Sequence, residues 1–166
     1  MKRIFKRLLL IFIIFLCSFA RAQVLEGGVT LSDRVPKELY GAWKIYAECT
    51  QSTNKDYFDS TSVDIWIFSK IDDRILLTNP MSGATASIGV NEVTGKKVKF
   101  EKRTEFPDEL TVETPIITIN GENFEGFDRI YIKTTRNGAL VKEDYIEYKV
   151  KGTKMSNVSL ADIFGR

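Results

Sequence analysis

The sequence contains no histidine. The commonest general base and metal ligand is therefore missing, which argues against triad hydrolysis and imidazole-bound metal chemistry. Cysteine is almost as scarce, with only Cys17 and Cys49. If Cys17 is lost with a leader, the remaining thiol cannot form an internal disulfide, and the fold must stand on apolar burial. Cys49 lies on an apolar strand face and is read as a buried small hydrophobe rather than a reactive thiol. Internal repeats and low-complexity tracts are lacking, and no helical periodicity of any length precedes the tail. The oxygen-rich stretch TNKDYFDS does not carry the calcium-loop signature. Neither a metal nor another cofactor is expected.

Long apolar runs are also rare, and the one present is N-terminal. Lys2, Arg3, Lys6 and Arg7 precede Leu8 to Ala20, a run of 13 residues without charge. Ala20-Arg21-Ala22 then offers small residues on either side of Arg21, completing the layout of a secretory signal peptide. The run is shorter than the ~20 residues that a membrane-spanning helix needs. Cleavage after Ala22 is expected, leaving no stable membrane span. Leu16 disfavours lipid attachment at Cys17. The division is then a leader at 1–22 and one domain at 23–166, in the periplasm or outside the cell. Five bases and no acids leave with the leader, which moves the formal charge from +2 to −3. A mildly acidic mature chain gives no reason to expect nucleic acid or anionic lipid as a partner. The basic stripe KKVKFEKR reads as a solvated strand face whose lysines guard against edge pairing.

What the mature chain does contain is strand after strand. After a loose lead-in, QVLEGGVTLSD, the stretch VPKELYG predicts one helical turn, with Pro36 at its start and Gly41 at its exit. The period then becomes two. In AWKIYAECT, Trp43, Ile45, Ala47 and Cys49 share one face and Lys44, Glu48 and Thr50 the other. SVDIWIFSK sets Val63, Ile65 and Ile67 opposite Asp64, Trp66 and Phe68, so both faces are partly apolar. RILLTN, ATASIGV, KKVKFEKR, ELTVETPIITI, ENFEGFDRIYIKTT and LVKEDYIEYKVKG follow. Turn signals separate them at Asp72-Asp73, Asn79-Pro80, NEVTG, Asn120-Gly121 and Asn137-Gly138. Pro115 marks an edge, a bulge or a bend. About eight strands in nearly unbroken hairpin order predict an all-β, eight-stranded antiparallel up-and-down barrel, in which closure removes the exposed edges. The tail SNVSLADIFGR predicts a short helix from Ser159, with Leu160, Ile163 and Phe164 on one side.

The stretch VPKELYGAWKIYAE resembles the start of the lipocalins, in which a short helical turn enters the first strand through a Gly-x-Trp motif. Those positions are Gly41, Ala42 and Trp43 here. Gly41 lets the chain bend sharply, and Trp43 points inward and fills the barrel bottom. Both are read as fold residues. The family places an Arg or Lys near the end of the last strand against this tryptophan, and Lys149 or Lys151 fits that role. Its second motif, around Thr-Asp-Tyr, is echoed loosely in Phe127-Asp128-Arg129, and its usual disulfide is missing.

The resemblance implies a small apolar, lipid-like ligand held inside the barrel without a covalent step. Ala84, Ala86 and Gly89 make the fourth strand small, which leaves a void if they point inward; close sheet packing is the other reading. The lining assigned on this basis is Ile45, Ala47, Ile65, Ile67, Ala84, Ala86 and Phe100. Trp66, Phe68, Phe124, Phe127 and Tyr131 are read chiefly as core. The alternative is a filled barrel whose loops engage another protein, as a protease inhibitor or an envelope component would. Interior volume separates the two. Asp64, Asp72, Asp73, Asp108, Glu109 and Asp128 are read as mostly solvated at turns or polar faces, which leaves a carboxylate-only enzyme as the weakest reading. Expressed with its leader in a secreting host, the protein should begin at Gln23 by intact mass. A product that retains residues 1–22 would show the apolar run to be an anchor.

Overall fold

Alternation carries the chain through eight strands: β1 (Gly41–Ser52), β2 (Thr61–Ile71), β3 (Arg74–Asn79), β4 (Ala84–Thr94), β5 (Lys97–Phe106), β6 (Glu109–Asn120), β7 (Asn123–Arg136) and β8 (Ala139–Lys154). In the computed structural model each strand pairs antiparallel with the next, and β8 returns to β1, closing the barrel. The described residues are 30–56 and 58–155. The leader, most of the lead-in and the tail helix expected from Ser159 lie outside them. The barrel belongs to the compact unit Leu31–Arg166. No helix among the described residues is long and apolar enough to cross a membrane.

Turn chemistry explains the short connections. Asn137 and Gly138 both take positive φ, at 53° and 77°, as a primed two-residue hairpin loop requires. Asp72 does the same at 55° between β2 and β3. The stretch NEVTG, expected as a turn, instead continues β4 through Thr94. A bulge between Val90 and Glu92 absorbs one residue, and Gly95-Lys96 makes the turn. Pro115 is buried in β6, and the β5–β6 pairing skips from Lys99↔Ile116 to Lys102↔Glu113 around it. The missing proline N–H thus marks a local opening in an interior strand pair.

The entrance to β1 has two 3-10 turns, Leu31–Arg34 and Lys37–Leu39. Only the second was expected, because the first lies in a stretch that reads as loose. Val35 and Leu39 from this segment are buried at the closed end. Gly41 has φ +123°, while a Cβ built there would meet only Lys154 Cε at 3.5 Å. Backbone conformation, not space, is what demands glycine at this position. Trp43 follows, fully buried, and its indole Nε1 donates to the Leu39 carbonyl at 2.6 Å. The basic residue over its ring is Lys154, with Nζ 5.2 Å from the centroid and donating to the Glu38 carbonyl. Lys149 and Lys151, expected in that role, are exposed on the outer wall. They alternate with buried Ile146 and Val150, whereas Lys154 is the direct partner of Trp43.

Five aromatic rings cross the interior in a chain: Trp43 to Phe124 at 4.9 Å, Phe124 to Trp66 at 6.3 Å, Trp66 to Phe68 at 6.2 Å, and Phe68 to Phe100 at 5.8 Å. Ile75, Ile88, Val98, Ile117 and Ile119 pack around them. Gly152 makes room for this chain. A Cβ there would lie 2.4 Å from the Phe124 ring, which is wedged between the two tryptophans. Gly152→Ala should therefore cost about 1–3 kcal/mol by overpacking. Phe124→Leu made in the same chain should recover part of that loss, so the two changes should couple in a double-mutant cycle by urea denaturation. Additive losses would show that the ring does not meet the new methyl group.

Candidate functional site

Toward the other end of the barrel the inward positions change character. The row that begins with Phe68 and Trp66 on β2 continues to Asp64. On β5, Val98 and Phe100 are followed by Lys102. On β6, Ile119, Ile117 and Pro115 lead to Glu113, and on β7 Phe124 leads through Gly126 to Asp128. Asn79 and Tyr148 arrive from β3 and β8. Across from them stand the small residues Ala47 and Ala86. Large rings below and small or polar side chains above leave a cavity of about 250 Å³ near the β1–β2 loop.

Asp64 is engaged from three sides. Asn79 Nδ2 donates to Oδ2 at 2.7 Å, Trp66 Nε1 donates to the same oxygen at 3.3 Å, and the Ile65 backbone N–H donates to Oδ1 at 2.8 Å. This carboxylate holds Trp66 and Asn79 in the wall. Lys102 and Glu113 are direct cross-strand partners, and Lys102 Nζ lies 2.8 Å from Glu113 Oε2. Tyr148 donates from its hydroxyl to the Asp59 carbonyl at 3.2 Å, which fastens the β1–β2 loop to β8.

Asp128 is different. It is 5% exposed, and its Oδ1 has no hydrogen-bond partner. Burial holds its carboxyl well above the usual carboxylate range; the adjacent Glu113 charge pushes the same way, Lys102 opposes, and a hydrogen bond with Glu113 adds to the rise. A buried polar atom without a partner costs ~1–3 kcal/mol, so Oδ1 is a local cost to the fold. Reading Asp128 as a solvated strand carboxylate was therefore wrong. The cause is parity: Asp128 lies an even number of residues from inward Phe124.

The residues expected to line a cavity divide into three groups. Ile45, Ala47 and Ala86 line it. Ala84 continues the inward row of β4 but is exposed, and Phe100 is buried in the aromatic floor. Ile65 and Ile67 face outward, beside Lys44 and Thr78, because Trp66 and Phe68 take the inside of β2. Gly89 is likewise on the outer face of β4, opposite in parity to buried Ile88. Cys49 is half-buried beside the β1 bulge, with Sγ 3.6 Å from the Gln51 carbonyl, rather than fully buried. Asn79, Lys102, Glu113 and Tyr148 were not expected in the wall, although parity with apolar neighbours marks each as inward. No group of acidic and thiol side chains among the described residues forms a metal site.

Comparison with family models, with curated proteins and with solved structures gives no match.

The raised Asp128 carboxyl has a consequence for stability. Its unfolded value is ~3.9. Its contribution to stability is thus fully present below that pH and is lost as pH rises through the raised folded value. Glu147 on the outer wall, held below its usual range by Arg129, works in the opposite sense. Asp128→Asn keeps the shape of the protonated acid. It should flatten the loss of stability as pH rises above about 4 and leave the protein at least as stable as its parent near neutrality. Urea midpoints across that range check this, since Glu147 is common to both proteins. An unchanged slope would show that Asp128 ionises normally.

Proposed function

We propose that this chain is a lipocalin-like small-molecule binding protein, exported through residues 1–22 and acting in the periplasm or outside the cell. The observation that carries the reading is the division of the interior into a packed aromatic floor and a cavity of about 250 Å³. A barrel that served only as a rigid support would be expected to fill that space, since unfilled volume costs stability. The lipocalin likeness is supported by the closed eight-stranded meander, the 3-10 turn before Gly41, and Trp43 capped by Lys154. The layout of the leader supports export. No covalent step is part of this reading.

Size and polarity narrow the ligand. Pockets for drug-sized molecules hold ~300–1,000 Å³, so this ligand is smaller than most of those. Ile45, Leu77, Trp66 and Val150 suit an apolar body. The polar side chains Asn79, Lys102 and Glu113 in the same wall suit a polar end on the ligand as well.

One observation favours the second reading, a protein that engages a partner through its rim. Met81, Phe106 and Leu140 are 70%, 63% and 52% exposed at the loop end of the barrel. Large exposed apolar side chains on the loops of this end suit protein contact, although Ile71 is similarly exposed at the opposite end. Ala86→Phe separates the two readings, because it fills the cavity and leaves the rim unchanged. Native mass spectrometry of protein purified without detergent should show a small-molecule adduct in the parent and none in the variant. A clean parent mass, or an adduct that survives the substitution, would count against ligand binding in the cavity.

A further inference from the structure

The cavity wall is biased in charge. Asp59, Asp64, Glu113 and Asp128 line it, and Lys102 is the one basic residue among them. Lys102 is already committed to Glu113 at 2.8 Å. Asp64 is satisfied by Asn79, Trp66 and the Ile65 backbone. Asp128 belongs to the same wall, and its Oδ1 is buried with no donor on it, so a ligand's polar end meets that oxygen as the carboxyl turns toward the cavity.

Three kinds of polar end can be compared at that oxygen. A carboxylate or phosphate would meet an excess of like charge, with its only possible counter-ion already paired. A hydroxyl would supply one donor but leave the crowding of Asp128 and Glu113 unrelieved. An ammonium or guanidinium supplies several donors and a positive charge between two neighbouring carboxyl groups. Trp66 and Tyr148 add aromatic faces, which also favour cations. We propose, building on the ligand-binding reading, that the cavity takes a small organic cation, an alkylammonium or alkylguanidinium, whose charged end pairs with Asp128 and whose hydrocarbon body lies against Trp66, Ile45 and Leu77.

The proton balance follows from the surroundings of Asp128. Glu113 of β6, Lys102 of β5 and Tyr148 of β8 face it, and Asp64 of β2 and Asp59 of the β1–β2 loop lie across the cavity. Burial and the Glu113 charge favour the protonated form of Asp128 in the empty barrel. An ammonium ion that enters displaces that proton to solvent and leaves an ion pair with the Asp128 carboxylate. Binding is then linked to pH. Affinity rises with pH while Asp128 is protonated in the free protein, by up to tenfold per pH unit, and levels off once Asp128 is ionised.

The test is calorimetry on the secreted protein with hexylamine, hexanol and hexanoate, three probes of similar body and different end. Runs in two buffers of different ionisation heat count protons. Hexylamine should bind at least tenfold more tightly than the other two, release protons and tighten as pH rises. Asp128→Asn should lose at least tenfold for hexylamine and little for hexanol. The carboxyl 13C resonance of Asp128 in the parent gives a second readout that does not depend on the variant folding, and hexylamine should move it from the acid toward the carboxylate position. Equal or tighter binding of hexanol or hexanoate overturns the cation assignment but leaves a ligand-binding barrel. Failure of all three probes to bind overturns the cation assignment and counts against the cavity reading as well.

Discussion

Closure is the constraint on which the rest of this structure depends. Once β8 pairs with β1, the interior has a set width, and each inward side chain must share it with residues from seven other strands. At the Trp43 end the chain spends its largest residues. Trp43, Phe124, Trp66, Phe68 and Phe100 form one continuous set of contacts from β1 across to β5. Their packing is tight enough that β8 must supply a glycine at position 152. At the other end the same width is met by Ala47, Ala86 and short polar side chains, and the space stays open. The floor and the cavity are two consequences of how side-chain volume is distributed along strands of ordinary geometry.

The polar half would be costly as a purely structural device. The half-buried ion pair Lys102–Glu113 gains only modestly over well-packed apolar residues of the same volume, because partial desolvation offsets part of the attraction. Asp128 adds a buried carboxyl whose charged form is disfavoured there. Proteins retain such groups where binding or chemistry uses them, and strongly perturbed carboxyls in cavities are candidate functional groups for that reason. Glu113, from the neighbouring strand, lines the same wall, and its charge also disfavours ionisation of Asp128.

Much of the fold was legible because period two survives in most strands and the turns carry Asn-Gly and Asp-Asp signals. β1 reads correctly from Trp43 to Ala47. Legibility failed at β2, where Ile65 and Ile67 are as apolar as Trp66 and Phe68. Alternation gives two faces but does not say which is inner when both are greasy. The wrong choice placed Asp64 outside, although it lies in the cavity wall. A related error affected the last strand, where Lys149 and Lys151 were matched to Trp43 by approximate distance from the end. Parity with Ile146 and Val150 already assigned both to the outer wall and left Lys154 as the inward lysine. The carboxyl site was hidden by a different habit, that of treating charge as evidence of exposure. Lys102, Glu113 and Asp128 each keep the parity of a buried neighbour. Their cross-strand registers, which no single strand reveals, are what bring them together.

Trp66 links the two halves. Its ring belongs to the aromatic chain, stacked on Phe124 and edge-on to Phe68, and its indole N–H is held by Asp64 in the cavity wall. A molecule seated against it therefore touches a residue on which the packing of the floor also depends. Because such a ligand binds the folded barrel and not the open chain, its binding free energy adds to the stability of the whole closed sheet. The unpartnered oxygen of Asp128 works in the opposite direction when the cavity is empty, as a local cost carried by the fold. The empty barrel is thus stable by virtue of its floor and strained at its carboxyl. A donor that reaches Asp128 removes the strain while its body extends the apolar packing upward from Trp66.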